Sequence, residues 1–295
     1  MASMRVLITG GTGFIGKNLV EQLASDFDLL APRHAELDLL DERAVAEYLE
    51  ARRPDAVVHC ATKPGHRNAK DPTGVLDANT RMFFNLIRRR DCFGRLILLT
   101  SGLVYDQRHY RRKMEEAYFD SHVPVDESGY SKYLCARYAE RLDNVVELRP
   151  FGVFGKYEDW EIRFISNAIC KTLFDLPVTL QQNRRFDYIY VDDLVQVVRH
   201  FLLTEGARGA YNVTPDEAVE LKALAEMVVR ISGKDLPIRI AQPGLGVEYS
   251  GDNRRLKAEV PGFPFTPLES AVRSLYGWYA DHRHLIRRDL LLVDK

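Results

Sequence analysis

The sequence predicts an α/β chain: a Rossmann-type, doubly wound parallel sheet with a smaller C-terminal substrate-binding lobe. Three observations predict it. Short apolar runs alternate with helical patterns through the first half of the chain, the rhythm of a parallel sheet covered by helices. A glycine-rich turn, Gly10-Gly11-Thr12-Gly13-Phe14-Ile15-Gly16, follows the first apolar run and opens the first helical pattern. After Arg149, proline and glycine thicken and the alternation stops.

In chain order, buried strands are predicted over 5–9, 28–31, 56–59, 96–100 and 145–148, short runs rich in Val, Ile and Leu. Helices are predicted over 14–24, 42–52, 79–90 and 128–141, where apolar residues recur at spacings of three and four. Asp41 and Asp77 are read as helix starts, since a carboxylate there can accept from free backbone amides. Residues 1–150 then form a dinucleotide-binding domain and 151–295 the second lobe, with a strand–helix pair over 186–203 returning to the first domain. A length of 295 residues suits that division.

The formal net charge of −1 gives no electrostatic case for nucleic acid or an anionic membrane as partner. The runs Arg88-Arg89-Arg90 and Arg111-Arg112-Lys113 read as solvated faces. No apolar run is long enough to span a bilayer. Cys60, Cys92, Cys135 and Cys170 form no CxxC pair, which argues against a zinc site or a disulfide framework. With no signal-peptide pattern ahead of the first strand, the expected location is cytoplasmic.

Gly11, Gly13 and Gly16 satisfy GxGxxG between a strand and a helix. So tight a turn needs the close approach that a Cβ blocks, and the helix N-terminus then offers free amides to a pyrophosphate. The end of the second strand helps choose the cofactor. NAD sites usually place Asp or Glu there for the ribose 2′-hydroxyl. Here the stretch reads Leu30-Ala31-Pro32-Arg33-His34, with no acid. Arg33 suits a 2′-phosphate and favours NADP over NAD.

Further segments complete a pattern: Leu37-Asp38-Leu39-Leu40-Asp41, His59-Cys60-Ala61-Thr62-Lys63, Asn79-Thr80, Thr100-Ser101-Gly102-Leu103-Val104-Tyr105, Tyr130-Ser131-Lys132, the stretch 148–155, the stretch 186–193 and Tyr211-Asn212-Val213. In this order they resemble the extended short-chain dehydrogenase/reductase family, the NAD-dependent epimerases and dehydratases of sugar nucleotides. Stretches 35–53 and 61–65 are most similar to GDP-fucose-synthase-like reductases. The resemblance implies that Gly10, Gly13 and Gly16 hold the pyrophosphate and Asp38 and Leu39 the adenine. It places Ala61 and Lys63 along the nicotinamide half, and has Asn79 brace the neighbouring strands. Ser101 would hydrogen-bond the reacting sugar oxygen, and Lys132 would bind the nicotinamide ribose. Family dehydratases tend to carry Asp-Glu after the Ser101 position. Gly102-Leu103 stands there, which argues against dehydration. Many relatives have Asn where this chain has Gly152.

One departure bears directly on chemistry. The family's acid/base is a tyrosine four residues before the lysine, and here that residue is Ser128. Hydride transfer to a carbonyl creates an alkoxide that needs a proton, and a serine hydroxyl is a poorer and shorter donor than a phenol. The expectation is a crippled enzyme that Ser128→Tyr improves, a non-catalytic binding relative, or an enzyme with a different proton source. Arg184 or Arg185, and more weakly Arg254, are candidates for the substrate diphosphate. His59 reads as structural, Asp192 and Asp193 as helix caps, and Trp278 and Tyr279 as core. The helices over 79–90 and 128–141 correspond to those that pair in family dimers. Met82, Phe83, Leu86, Tyr130, Leu134 and Tyr138 supply apolar spacing beyond one sheet face, so a homodimer is expected.

Overall fold

The computed structural model describes residues 3–66 and 68–293. Strands β1 (Arg5–Thr9), β2 (Asp28–Leu30), β3 (Ala56–His59), β4 (Arg95–Leu99) and β5 (Val145–Pro150) alternate with helices α1 (Phe14–Leu23), α2 (Glu42–Arg52), α3 (Val75–Ile87) and α4 (Glu127–Ala139). The second lobe follows with β6 (Gly152–Phe154), α5 (Phe164–Leu173), β7 (Val178–Asn183), β8 (Arg185–Phe186), β9 (Tyr188–Tyr190), α6 (Val191–Leu203), β10 (Gly209–Val213), β11 (Val219–Glu220), α7 (Leu221–Ser232), β12 (Ile238–Leu245), α8 (Arg254–Glu259) and α9 (Leu268–Asp281). The central sheet runs β10-β5-β4-β3-β1-β2, all parallel. Chain order reverses between β1 and β3, and the crevice beyond the carboxyl ends of such strands is where ligands bind in open α/β sheets.

Strand alternation divides the core. Val6 and Ile8 point to one face, where Leu19 and Leu23 of α1 and Leu194, Val198 and Phe201 of α6 cover them. Leu7 points to the other, against Val45 and Leu49 of α2 and Phe83 and Leu86 of α3. The return of the 186–203 segment is therefore made by α6. The chain after Tyr211 was expected in the second lobe, yet β10 spans this point and pairs with β5 at the sheet edge, Tyr211 opposite Leu148. The remaining lobe has its own core of α5, α7, α9 and β7, in which Tyr279 is buried and Trp278 partly so. Among the described residues, no helix is long and apolar enough to cross a membrane.

Two helix starts differ from expectation. Asp41 caps α2, accepting from the amides of Arg43 and Ala44. Asp77 does not cap α3, which begins at Val75. Its first amides are met instead by Glu127, whose Oε2 accepts from Val75 at 3.0 Å and Leu76 at 3.3 Å. Asp192 and Asp193 likewise sit inside the first turn of α6 and are not caps. Asp192 accepts from Gln22, and Asp193 from the backbone and hydroxyl of Thr266. Of the apolar residues on α3, Met82, Phe83 and Leu86 are spent on the core. Phe84 and the exposed Tyr138 stay on the outer side, ring against ring at 5.1 Å.

Candidate active site

The glycine turn is packed as a pyrophosphate cradle must be. Gly10 has φ +70°, and a Cβ on it would fall 2.7 Å from the Ala61 Cα, so β1 and β3 approach here at backbone distance. A Cβ on Gly16 would run into the Gly10 carbonyl oxygen. Gly11 faces the Ala31 methyl. The Gly13 amide donates to the Gly10 carbonyl at 2.9 Å, closing the turn around Thr12. Gly13 is the N-cap of α1, with no side-chain cap and no acid in the first turn at Phe14 and Ile15. The amides at this helix end are thus free for an anion.

Beyond β2, Arg33 is exposed, and no ion pair holds its guanidinium among the described residues. An acid does reach this turn: Glu36 accepts from the Arg33 amide at 2.7 Å. Reading the strand end alone missed it, because it lies three residues on. Asp38 accepts from the Leu40 amide at 2.9 Å, while the Leu39 side chain enters the core and its carbonyl accepts from Asn85. Asn79 braces the loop after β3. Its Oδ1 accepts from the Lys63 amide at 2.7 Å and its Nδ2 donates to the Lys63 carbonyl at 3.2 Å. The Lys63 ammonium is engaged by Asp71 at 2.6 Å, which holds that carboxyl well below its usual range.

Ser101 follows β4 and caps a short turn, its Oγ accepting from the Leu103 amide at 3.2 Å. The first turn of α4 packs directly on it: a Cβ on Gly129 would lie 2.9 Å from the Leu103 carbonyl oxygen. Ser128 is in that helical turn, and Lys132 stands one turn later on the same face. The Ser128 hydroxyl faces the loop after β3, 2.9 Å from where a Gly65 Cβ would be. Lys132 is partly buried, with no hydrogen bond to its ammonium among the described residues. Burial pushes its pKa down, while Cys135 and Glu147 pull the other way. Beneath lies a network that sequence reasoning did not find. Glu147 accepts from Thr100 at 2.6 Å and from Arg149 at 2.9 and 2.7 Å. Arg149 donates to the Tyr105 hydroxyl, which donates to Asn212. His59 is buried against Thr9 at 2.8 Å. Burial, with the nearby Lys132, takes its pKa down to about 4, so it stays neutral and structural.

On the substrate side, Arg185 pairs with Glu220 at 3.3 Å. Arg254 pairs with Asp252 at 2.7 Å and Glu115 at 3.0 Å. Arg184 is partly buried beside Phe186 and has no carboxylate partner among the described residues. Gly152 is fixed by packing, since a Cβ there would fall 2.6 Å from the Asp187 carbonyl oxygen. Gly102 is fixed by a side chain: its Cβ position lies 2.6 Å from the Tyr249 hydroxyl and 2.7 Å from the Phe151 ring.

Known proteins resemble this chain in sequence and in fold. The sequence pattern of the NAD dependent epimerase/dehydratase family matches residues 6–214. A dTDP-4-dehydro-6-deoxy-D-allose reductase of Streptomyces bikiniensis is 29% identical, over 95% of this chain and 98% of the relative. The GDP-L-colitose synthase of Yersinia pseudotuberculosis is 25% identical, over 66% of this chain and 71% of the relative. In fold, the chain superposes on a GDP-L-fucose synthetase from Naegleria fowleri bound to NADP, with a TM-score of 0.84 at 14% identity, covering 98% of this chain and 97% of that one. The match runs from the first strand through β10, the span that builds the sheet, the glycine turn and the Ser101–Lys132 face, and on that ground this chain belongs to the NAD dependent epimerase/dehydratase family of extended short-chain dehydrogenases/reductases.

Proposed function

We propose that this chain is an NADP-dependent reductase of keto-sugar nucleotides. The observation that carries the reading is the Ser101–Lys132 face, set beside an uncapped glycine-turn helix and lacking any acid at Gly102. When bound, the dinucleotide supplies a hydride at the nicotinamide. The chain's own residues do the rest. Free amides at Phe14 and Ile15, in the first turn of α1, receive the pyrophosphate. The unpartnered Arg33 guanidinium takes the 2′-phosphate. Lys132, whose ammonium no carboxylate holds, binds the nicotinamide ribose. Ser101 donates to the sugar oxygen, and Arg184, which unlike Arg185 and Arg254 has no acidic partner among the described residues, meets the diphosphate.

Ser128 favours a second reading, a binding protein that kept the fold and lost the acid. Turnover separates the two. The chain is mixed with NADPH and a panel of 4-keto-6-deoxyhexose esters of GDP, UDP, CDP and dTDP. Nicotinamide absorbance reports reduction, and thermal shift reports binding. Reduction of one member is expected; binding without reduction of any supports the second reading. The outer side of α3 and α4, with Phe84, Tyr130, Leu134 and Tyr138, is proposed to pair with a second copy. Light scattering at micromolar concentration is expected to give twice the chain mass of 33.8 kDa.

A further inference from the structure

We propose that Tyr249 supplies the proton that position 128 cannot, its phenol protonating the sugar oxygen that Ser101 orients; this rests on the reductase reading above. The Tyr249 hydroxyl fills the space that a side chain on residue 102 would occupy, 2.6 Å from that Cβ position and one residue from Ser101. A glycine at 102 is what admits it, because even a methyl group there would collide with the oxygen.

The ring is held, not loosely parked. It packs against Phe151 at 4.8 Å, Tyr110 at 5.2 Å and Phe186 at 5.6 Å. Its backbone is pinned on both sides: the Tyr249 amide donates to the Arg185 carbonyl at 2.9 Å, and its carbonyl accepts from the Asp187 amide at 3.0 Å. Asp187 also accepts from the Gly251 amide at 2.8 Å, fixing the loop that carries the tyrosine. Yet the hydroxyl makes no hydrogen bond among the described residues, and the residue is partly buried. Buried phenols ordinarily find a protein partner. A fixed phenol without a protein partner, lying against the residue that follows Ser101, is positioned to donate to a ligand.

The step balances. A hydride from the reduced nicotinamide dinucleotide forms a C–H bond at the carbonyl carbon, and the C=O π pair moves to oxygen. The phenol O–H breaks as that oxygen takes the proton, and the phenolate recovers a proton from water. The sugar ketone is reduced to an alcohol and the dinucleotide is oxidised. Burial holds the Tyr249 phenol above its ordinary pKa, which keeps it protonated at neutral pH but weakens it as an acid, so its use as a donor rests on its position.

Tyr249→Phe keeps the ring and its packing and removes the hydroxyl. With the keto-sugar panel and NADPH, kcat should fall about 10²- to 10⁴-fold, the usual worth of a general acid. NADPH affinity and KM should stay within about threefold. A second reading does not need turnover. With tyrosine labelled at ¹³Cζ, the resonance missing from Tyr249→Phe should shift when a keto-sugar nucleotide joins the NADP⁺ complex. If the wild type reduces a panel member and Tyr249→Phe matches its kcat, or loses only KM, the assignment of Tyr249 fails and the reductase reading stands. An unmoved ¹³Cζ resonance in the sugar-nucleotide complex also overturns the assignment. If the wild type reduces no member, both fall together.

Discussion

The glycine turn and the Ser101 face follow β1 and β4, which flank β3 in one sheet, yet they depend on different ranges of sequence. The turn is mostly local: within a single seven-residue stretch the Gly10 carbonyl bars a side chain at Gly16 and crowds one at Gly13, while Gly10 itself is held to glycine by Ala61, after β3. The proposed catalytic face is assembled from afar. Ser101 comes from the end of β4, Lys132 from α4, and the hydroxyl next to Gly102 from Tyr249 in the second lobe. A locally determined site changes only by breaking. A site assembled from distant segments can lose one part, such as the phenol at 128, and have the gap met by another segment.

The sharpest way to break that contrast is to return the phenol to α4. A tyrosine at 128 and Tyr249 would serve one alkoxide, so in the wild-type background Ser128→Tyr should change kcat little. In the Tyr249→Phe background it should raise kcat by about 10²- to 10⁴-fold. The new phenol must pass the loop at Gly65, which the Ser128 hydroxyl already faces. A full gain in the wild-type background, measured as NADPH consumption, would mean that Tyr249 donates nothing and the site was simply missing its acid.

The glycine turn should fail in the opposite manner, with no rescue from elsewhere. A methyl group at Gly16 meets the Gly10 carbonyl, backbone that cannot swing aside. Overpacking of this kind costs about 1–3 kcal/mol. Gly16→Ala should therefore lower unfolding stability by about that amount in a urea titration, and abolish NADPH binding by calorimetry. Retained binding would show that the turn relaxes, and that its local logic is looser than the packing implies.

Much of this was legible in the sequence, for reasons that follow the same divide. Strand β1 and helix α2 lie at the residues their patterns predicted, because burial of alternate or three-and-four-spaced apolar residues is a local signal. The start of α3 was misread at Asp77 because its amides are met by Glu127, from another helix. The loop holding Tyr249 was noticed for Arg254, but Arg254 is spent on two carboxylates and the tyrosine reaches the site. A glycine after Ser101 was the only hint that something else fills that space. The Lys63–Asp71 pair and the Glu147 network are likewise contacts between segments, which no spacing rule reports.

Arg33 tests whether the cofactor half holds a distant contribution of its own. Its guanidinium is unpaired among the described residues, while Glu36 binds its amide. A charge-assisted contact to a 2′-phosphate is worth about 1.5–3 kcal/mol. Arg33→Ser should weaken NADPH about tenfold or more and leave NADH unchanged, measured by calorimetry with both cofactors. Equal losses for both would assign Arg33 a structural role and return the ribose contact to Glu36.

The smallest expected effect lies away from both sites, in the second lobe, and reads how tightly that lobe is closed around Glu158. Glu158 is buried, accepts from Ser166, and has its pKa raised from 4.5 to about 8 by burial, against the opposing pull of Ser166 and Arg163. A carboxyl that binds its proton more tightly when folded makes the native state the more protonated one between those values. Stability therefore falls as pH rises through that window, by at most about 1.4 kcal/mol per unit. Two other groups overlap its lower part. His59, lowered from 6.5 to about 4, adds stability as pH rises between those values, and Asp187, raised from 3.8 to about 6, removes it. Above 6.5 only the tails of both remain, each worth under about 0.5 kcal/mol and opposite in sign, so Glu158 dominates the interval from 6.5 to 8. Urea unfolding at those two pH values should show the wild type losing up to about 2 kcal/mol, and Glu158→Gln, which keeps the acceptor for Ser166, losing far less. An equal loss in the variant would show that Glu158 is already ionised at pH 6.5, with water reaching it through a lobe less tightly closed than the structure draws.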